Sequence, residues 1–93
     1  MSLVYKLLYT EEAKKQISKL DSRTKEKVRI ALEEISLNPE TGKPLTRELK
    51  GRWSYRVGDC RIIYRMDYHQ VIVIVLTVGH RRDVYEKMSR KNW

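Results

Sequence analysis

Two runs of strand-favouring residues, Trp53-Ser54-Tyr55-Arg56-Val57 and Cys60-Arg61-Ile62-Ile63-Tyr64-Arg65, meet at Gly58-Asp59 and constrain the chain more than any other stretch. Glycine in the first position of a two-residue loop suits the type II′ turn, whose twist matches that of the flanking strands, so the stretch reads as a β-hairpin. A loop this short also sets the register. Val57 faces Cys60, Arg56 faces Arg61, Tyr55 faces Ile62 and Arg52 faces Arg65. Alternation then gives one face to Trp53, Tyr55, Val57, Cys60, Ile62, Tyr64 and Met66, and the other to Arg52, Ser54, Arg56, Arg61, Ile63 and Arg65. The first is a core face.

The second face breaks a local rule, because like charges directly opposite each other on a sheet repel and this register stacks two arginine pairs. A single arginine on a strand is ordinarily solvated, its stem covering apolar surface. Two opposed pairs without a visible structural gain point instead to a missing counter-charge, for which a phosphate group is suited.

The charge distribution agrees. Residues 1–42 hold eight Lys and Arg against seven Asp and Glu, whereas residues 43–93 hold twelve against five, so nearly all of the net +8 lies in the half with the hairpin. A one-sided excess favours a polyanion, with nucleic acid ahead of an anionic membrane because no basic amphipathic helix with an aromatic face occurs. The 93 residues suffice for one domain, 1–93, and one modest core. Cys60 is the only cysteine, which excludes a disulfide framework and a cysteine-rich metal site; on the core face it reads as an ordinary buried thiol. The amino-terminal residues lack the apolar run of a signal peptide, and the longest apolar stretch, Val71 to Val78, is too short to span a bilayer, so a cytoplasmic location is expected.

In chain order, Val4 to Tyr9 reads as a strand, and Thr10 caps a helix that begins at Glu11-Glu12 and turns Ala13, Ile17 and Leu20 inward. Asp21-Ser22 caps a second helix, from about Arg23 to Leu37, with Val28, Ala31, Leu32 and Ile35 on its apolar stripe. Asn38-Pro39 stops it, since the residue before a proline avoids helical geometry. Glu40 to Gly51 reads as a loop or single turn. After the hairpin, Asp67 to Gln70 turns the chain into Val71–Val78, apolar on both faces and therefore a central strand; Gly79 ends it, and Glu86 to Trp93 suits a short helix. The expected fold is α+β in the order β-α-α-β-β-β: an all-antiparallel sheet, a helical hairpin on one face, and the arginines on an open face.

No phosphate-binding glycine loop, no pair of metal-spaced histidines and no carboxylate cluster occurs, so neither a metal nor another cofactor is expected. Arginine, tyrosine and two histidines remain. Guanidinium groups match non-bridging phosphate oxygens in pairs and stay charged at any working pH. Tyr85, with a reference pKa near ~10, is an unusual base that neighbouring guanidinium charge would favour; a half-buried ring accounts for it equally well. His80 reads either as a proton donor or as a strand-end histidine bonded to backbone, and His69 as a solvated turn residue.

Leu37-Asn38-Pro39, Leu49-Lys50-Gly51, Tyr55-Arg56-Val57-Gly58-Asp59, Arg61-Ile62-Ile63-Tyr64 and Val78-Gly79-His80-Arg81-Arg82-Asp83-Val84-Tyr85, in that order, resemble the RelE branch of the RelE/ParE toxins over nearly the whole chain. The resemblance implies the β-α-α-β-β-β fold and a toxin, held by a cognate antitoxin, that enters the A site of the 70S ribosome. There it cuts mRNA by metal-free attack of a ribose 2′-hydroxyl on the adjacent phosphate. It places Arg56, Arg61, Arg81 and Tyr85 in the catalytic set, with Lys50, Arg52, Ser54, His80 and Arg82 contacting RNA. Arg56 and Arg61 would hold the scissile phosphate, Arg81 would assist departure of the 5′-oxygen, and Tyr85 would accept the 2′-proton or stack on a base. Ser54 departs from the pattern, standing where well-known members carry lysine. Two alternatives stay open: a ParE-like inhibitor of DNA gyrase that cuts nothing, and a non-catalytic RNA-binding or antitoxin-docking module.

Overall fold

The computed structural model describes residues 3–80, and the expectations for Arg81, Arg82, Tyr85 and the Glu86–Trp93 helix lie outside them. The chain forms β1 (Lys6–Tyr9), α1 (Glu11–Ser18), α2 (Ser22–Leu37), β2 (Lys43–Pro44), β3 (Trp53–Val57), β4 (Cys60–Asp67) and β5 (Ile72–His80), with single 3₁₀ turns at Pro39–Thr41 and Arg47–Leu49. Both helices start as their sequences dictate. Thr10 accepts a hydrogen bond from the Ala13 amide and Asp21 one from the Thr24 amide, each satisfying an amide that has no partner inside its helix. Hydrogen bonds from Thr24, side chain first and then backbone, hold the Asp21 carboxyl below its usual range.

The architecture is α+β, with the helices on one face of a five-stranded sheet ordered β1-β5-β4-β3-β2. One correction concerns direction: β1 pairs with β5 in parallel, Lys6 opposite Ile72 through Tyr9 opposite Val75, so the sheet is mixed. The reason lies in helix length. α1 carries on past the end of β1 and lies along the far half of β5, where Thr10 N donates to Val75 O, and Gln16 Oε1 accepts from Val78 N at 2.7 Å and from the Thr77 hydroxyl at 2.9 Å. Gln16 thus satisfies β5 where β1 no longer reaches. At ~1.5 Å per residue the sixteen residues of α2 span ~24 Å, enough to retrace β1 and α1 together. They bring the chain back to where β1 began, with Tyr5 N donating to Ser36 O at 2.8 Å. β3 and β5 therefore run the same way as β1.

The 40–51 segment is more than a loop. Lys43 and Pro44 pair with Ser54 and Trp53, and Leu45 and Leu49 pack against Ile63, Leu76 and Ile74, so the second sheet face carries a small apolar cluster and is only partly open. A bulge supplies one member of that cluster: Ile63 pairs with Thr77 but Tyr64 with Val75, which leaves Leu76 unpaired by register and turned to the second face. Nor does Gly79 end β5, since Gly79 pairs with Arg61 and His80 with Cys60. The main core, between helices and sheet, gathers Ala13, Val28, Ala31, Leu32 and Ile35 against Ile62, Tyr64, Val73, Val75 and Val78.

Tyr64 is fully buried and locks the loop to the sheet. Its hydroxyl donates to Pro39 O at 2.6 Å and accepts from Gly42 N at 3.2 Å. A Cβ on Gly42 would come within 2.5 Å of that hydroxyl and 2.8 Å of the Ser54 carbonyl, so only glycine fits here. Burial pushes the Tyr64 phenol up to about 12.

Candidate nucleic-acid interface

The hairpin forms in the expected register: Val57 opposite Cys60, Arg56 opposite Arg61, Tyr55 opposite Ile62, with Gly58 at φ +59° and Asp59 in ordinary backbone, as a type II′ turn requires. Arg61 in turn lies opposite Gly79. One row across β3, β4 and β5 therefore reads Arg56, Arg61, Gly79. Two arginines are thus registered on neighbouring strands, on the sheet face away from the helices, next to a position without a side chain. Arg56 is exposed, its Nε donating to Gly58 O at 3.3 Å; Arg61 is half-buried. Neither forms an ion pair with any carboxylate among the described residues.

The other expected positions separate. Lys50 is exposed at the end of the 47–49 turn. Arg52 precedes β3 and is not registered opposite Arg65, so one arginine pair exists where two were expected. The loop holds it: Arg52 N donates to Leu49 O, Arg52 O accepts from Leu45 N, and its buried Nε has no hydrogen-bond partner among the described residues. Ser54, at 2 % exposure, lies beneath the surface rather than on it. His80 ends β5 opposite Cys60 and is exposed. Burial, then the Asp59 and Asp21 carboxylates, push the Cys60 thiol up, which suits an unreactive thiol. His69 sits in the turn where Asp67 Oδ1 accepts from His69 N and Gln70 N.

The reading of the sequence missed a groove of about 480 Å³ between the helices and β1, walled by Tyr9, Ile17, Val28 and Leu32 and rimmed by Lys14, Lys25 and Arg29. Its signal lies in the apolar stripes of the two helices, where Val28 and Leu32 are buried in the core and Ile17 is left half-buried. No grouping of three or more His, Cys, Asp or Glu able to hold a metal occurs among the described residues. No helix among them is long and apolar enough to cross a membrane.

A helical hairpin on a five-stranded mixed sheet, with paired arginines on the face away from the helices, defines the class as the RelE-like α+β fold. Residues 7–85 match the family described as ParE toxin of type II toxin-antitoxin system, parDE. Toxin RelG of Mycobacterium tuberculosis is 38% identical over 85 residues, covering 89% of this chain and 98% of that protein. In the M. tuberculosis RelBE2 toxin-antitoxin complex, a chain 37% identical superposes with a TM-score of 0.77, covering 85% of this chain and 93% of its own. A mutant of E. coli toxin RelE in the free state, 26% identical, gives 0.76 and covers 94% and 96%. The chain belongs to the RelE/ParE family of toxins of type II toxin-antitoxin systems.

Proposed function

We propose that this toxin is a ribosome-dependent endoribonuclease that cuts mRNA in the A site of the 70S ribosome, through attack of a ribose 2′-hydroxyl on the adjacent phosphate. The observation that carries the reading is the Arg56–Arg61–Gly79 row: two arginines registered opposite each other on the face away from the helices, with no ion pair to a carboxylate among the described residues. Arg56 and Arg61 hold the non-bridging oxygens and stabilise the charge that builds on them as the 2′-oxygen bonds to phosphorus and the 5′-oxygen departs. Arg81, next in sequence after His80, assists that departure, and Tyr85 takes the 2′-proton or stacks on a base. Lys50, Arg52, His80 and Arg82 contact flanking RNA. Buried Ser54 contributes through its place in the sheet, opposite Lys43 and Ile63, rather than by touching RNA.

The ribosome has a chemical reason to be required. A 2′-hydroxyl attack is well driven by a base and an acid with pKa values near the working pH, yet these positions offer a tyrosine and arginines. Much of the rate must come from holding the 2′-oxygen in line with the phosphate, which is worth roughly 7–11 kcal/mol when geometry is fixed. A single strand gripped in the decoding centre supplies that order.

A cognate antitoxin holds the protein when it is inactive, and the groove between the helices suits it. Its apolar walls and basic rim fit an amphipathic helix with an acidic flank. A second reading, inhibition of DNA gyrase without cutting, is favoured by the ParE description of the matched family. Primer extension on a message incubated with protein alone and with programmed ribosomes separates the two: cleavage confined to the ribosomal reaction is expected. Comparable cutting of free RNA, or intact transcripts alongside blocked supercoiling, would overturn the reading.

A further inference from the structure

The helical layer carries a basic stripe that the arginine face does not explain. Lys27 on α2 and Arg56 on β3 line the same notch, of about 220 Å³, together with Ile30, Ala31, Glu34, Tyr55 and Val57. Arg23 stands one turn before Lys27 on the same side of α2, about 6 Å along the axis. Like charges at this spacing weaken a helix, and neither residue has an ion pair among the described residues, whereas Arg29 on the other side of α2 bonds both Glu26 and Glu33. The only carboxylate lining the notch among the described residues, Glu34, is engaged by the Tyr55 hydroxyl at the end away from Arg23.

The edge of β3 is also open at this point. β2 pairs only with Trp53 and Ser54, so Tyr55–Val57 has no neighbour on that side among the described residues. Because Arg52 O accepts from Leu45 N, the alternation of the strand turns the N–H and C=O of residues 52, 54 and 56 toward this edge. The Arg56 amide is therefore a donor on the edge, at the residue that shares the notch with Lys27.

We propose that the RNA strand flanking the scissile phosphate crosses the open edge of β3 at Arg56 and continues onto α2, where Lys27 and Arg23 hold successive phosphates. The inference rests on the ribonuclease reading and extends it to the far side of the sheet edge. Arg56 belongs to both surfaces, so the track is continuous: Arg61, Arg56, Lys27, Arg23. An acidic peptide is a poorer fit than a phosphodiester strand, because the notch offers no row of apolar anchors at helical spacing and contains Glu34. Ile30, at 48% exposure, and Val57 give one base an apolar seat.

The test is binding of a fluorescent, fully 2′-O-methylated RNA, which keeps every phosphate and cannot be cut by 2′-hydroxyl attack, measured against salt concentration. Arg23→Ala/Lys27→Ala should lower affinity about tenfold and flatten the slope of log affinity against log salt by roughly 1.4, at about 0.7 per phosphate contact. Lys15→Ala/Lys19→Ala, which removes the same charge at the end of α1, should leave the slope unchanged, and Arg23→Lys/Lys27→Arg should behave as wild type. Equal losses in both alanine doubles, an unchanged slope in the first, or no wild-type binding at low salt would overturn the proposal. So would loss of antitoxin binding in the first double with RNA binding intact. Wild-type cutting on programmed ribosomes reports the ribonuclease reading separately.

Discussion

Tyr64 bonds the Pro39 carbonyl 25 residues away in sequence, and through the Gly42 amide it fixes the chain leaving α2 to the middle of β4. Tyr64→Phe leaves a buried carbonyl and a half-buried amide without the hydroxyl that joins them, a loss of about 1–3 kcal/mol that urea unfolding will read as a lower midpoint at unchanged slope. Gly42→Ala should cost more than this, because one of its two close contacts is the Ser54 backbone, which cannot swing aside. An unfolding midpoint for Gly42→Ala at or above that of Tyr64→Phe would show that the loop relaxes freely.

The same phenol sets an alkaline limit. Its folded value is raised to about 12 while the unfolded chain returns to about 10, so its contribution is fully present below pH ~10 and is lost as pH rises toward 12. A shift of this size corresponds to roughly 2–3 kcal/mol across that window. Stability measured from pH 8 to 11.5 should fall more steeply in the wild type than in Tyr64→Phe, and parallel curves would place the loss at other tyrosines.

Arg61→Ala should reduce message cutting by about 10²-fold or more, and Arg65→Ala only slightly, although each removes one positive charge. Arg61 stands between Arg56 and Gly79, whereas Arg65 is exposed opposite Ile74. Primer extension on programmed ribosomes is the measurement, and equal small losses would reduce the row to a diffuse electrostatic patch.

Gln16→Leu removes the acceptor for Val78 N and the Thr77 hydroxyl in a nearly isosteric side chain. A cost of about 1–3 kcal/mol is expected for the buried donors left unpaired, with faster hydrogen exchange at Val78. Unchanged protection of that amide would mean water replaces Gln16 without penalty.

The hairpin, its turn type and the Arg56–Arg61 pair were legible because a two-residue loop leaves no freedom of register, and both helices were legible from their caps and stripes. The direction of β1 was not. It depends on the ratio of helix lengths and on Gln16 substituting for a strand, and neither leaves a local mark in the sequence. The Arg52–Arg65 pairing was over-read for a similar reason, since the loop residues Leu45 and Leu49 claim the Arg52 backbone before the strand begins. Arg23 and Lys27 went unnoticed because counting charge by halves of the chain hides a stripe that exists only once α2 lies beside β3.

The parallel pairing of β1 with β5 also bears on how a nascent chain acquires its form. The Thr10 hydroxyl finds the Leu76 carbonyl across 66 residues, so the sheet's longest closure waits for the last described strand to emerge. A message translated to the end of β4 yields helices and a hairpin but no home for β1. The sheet is therefore incomplete until β5 has been made, and with it the row that Arg61 shares with Gly79.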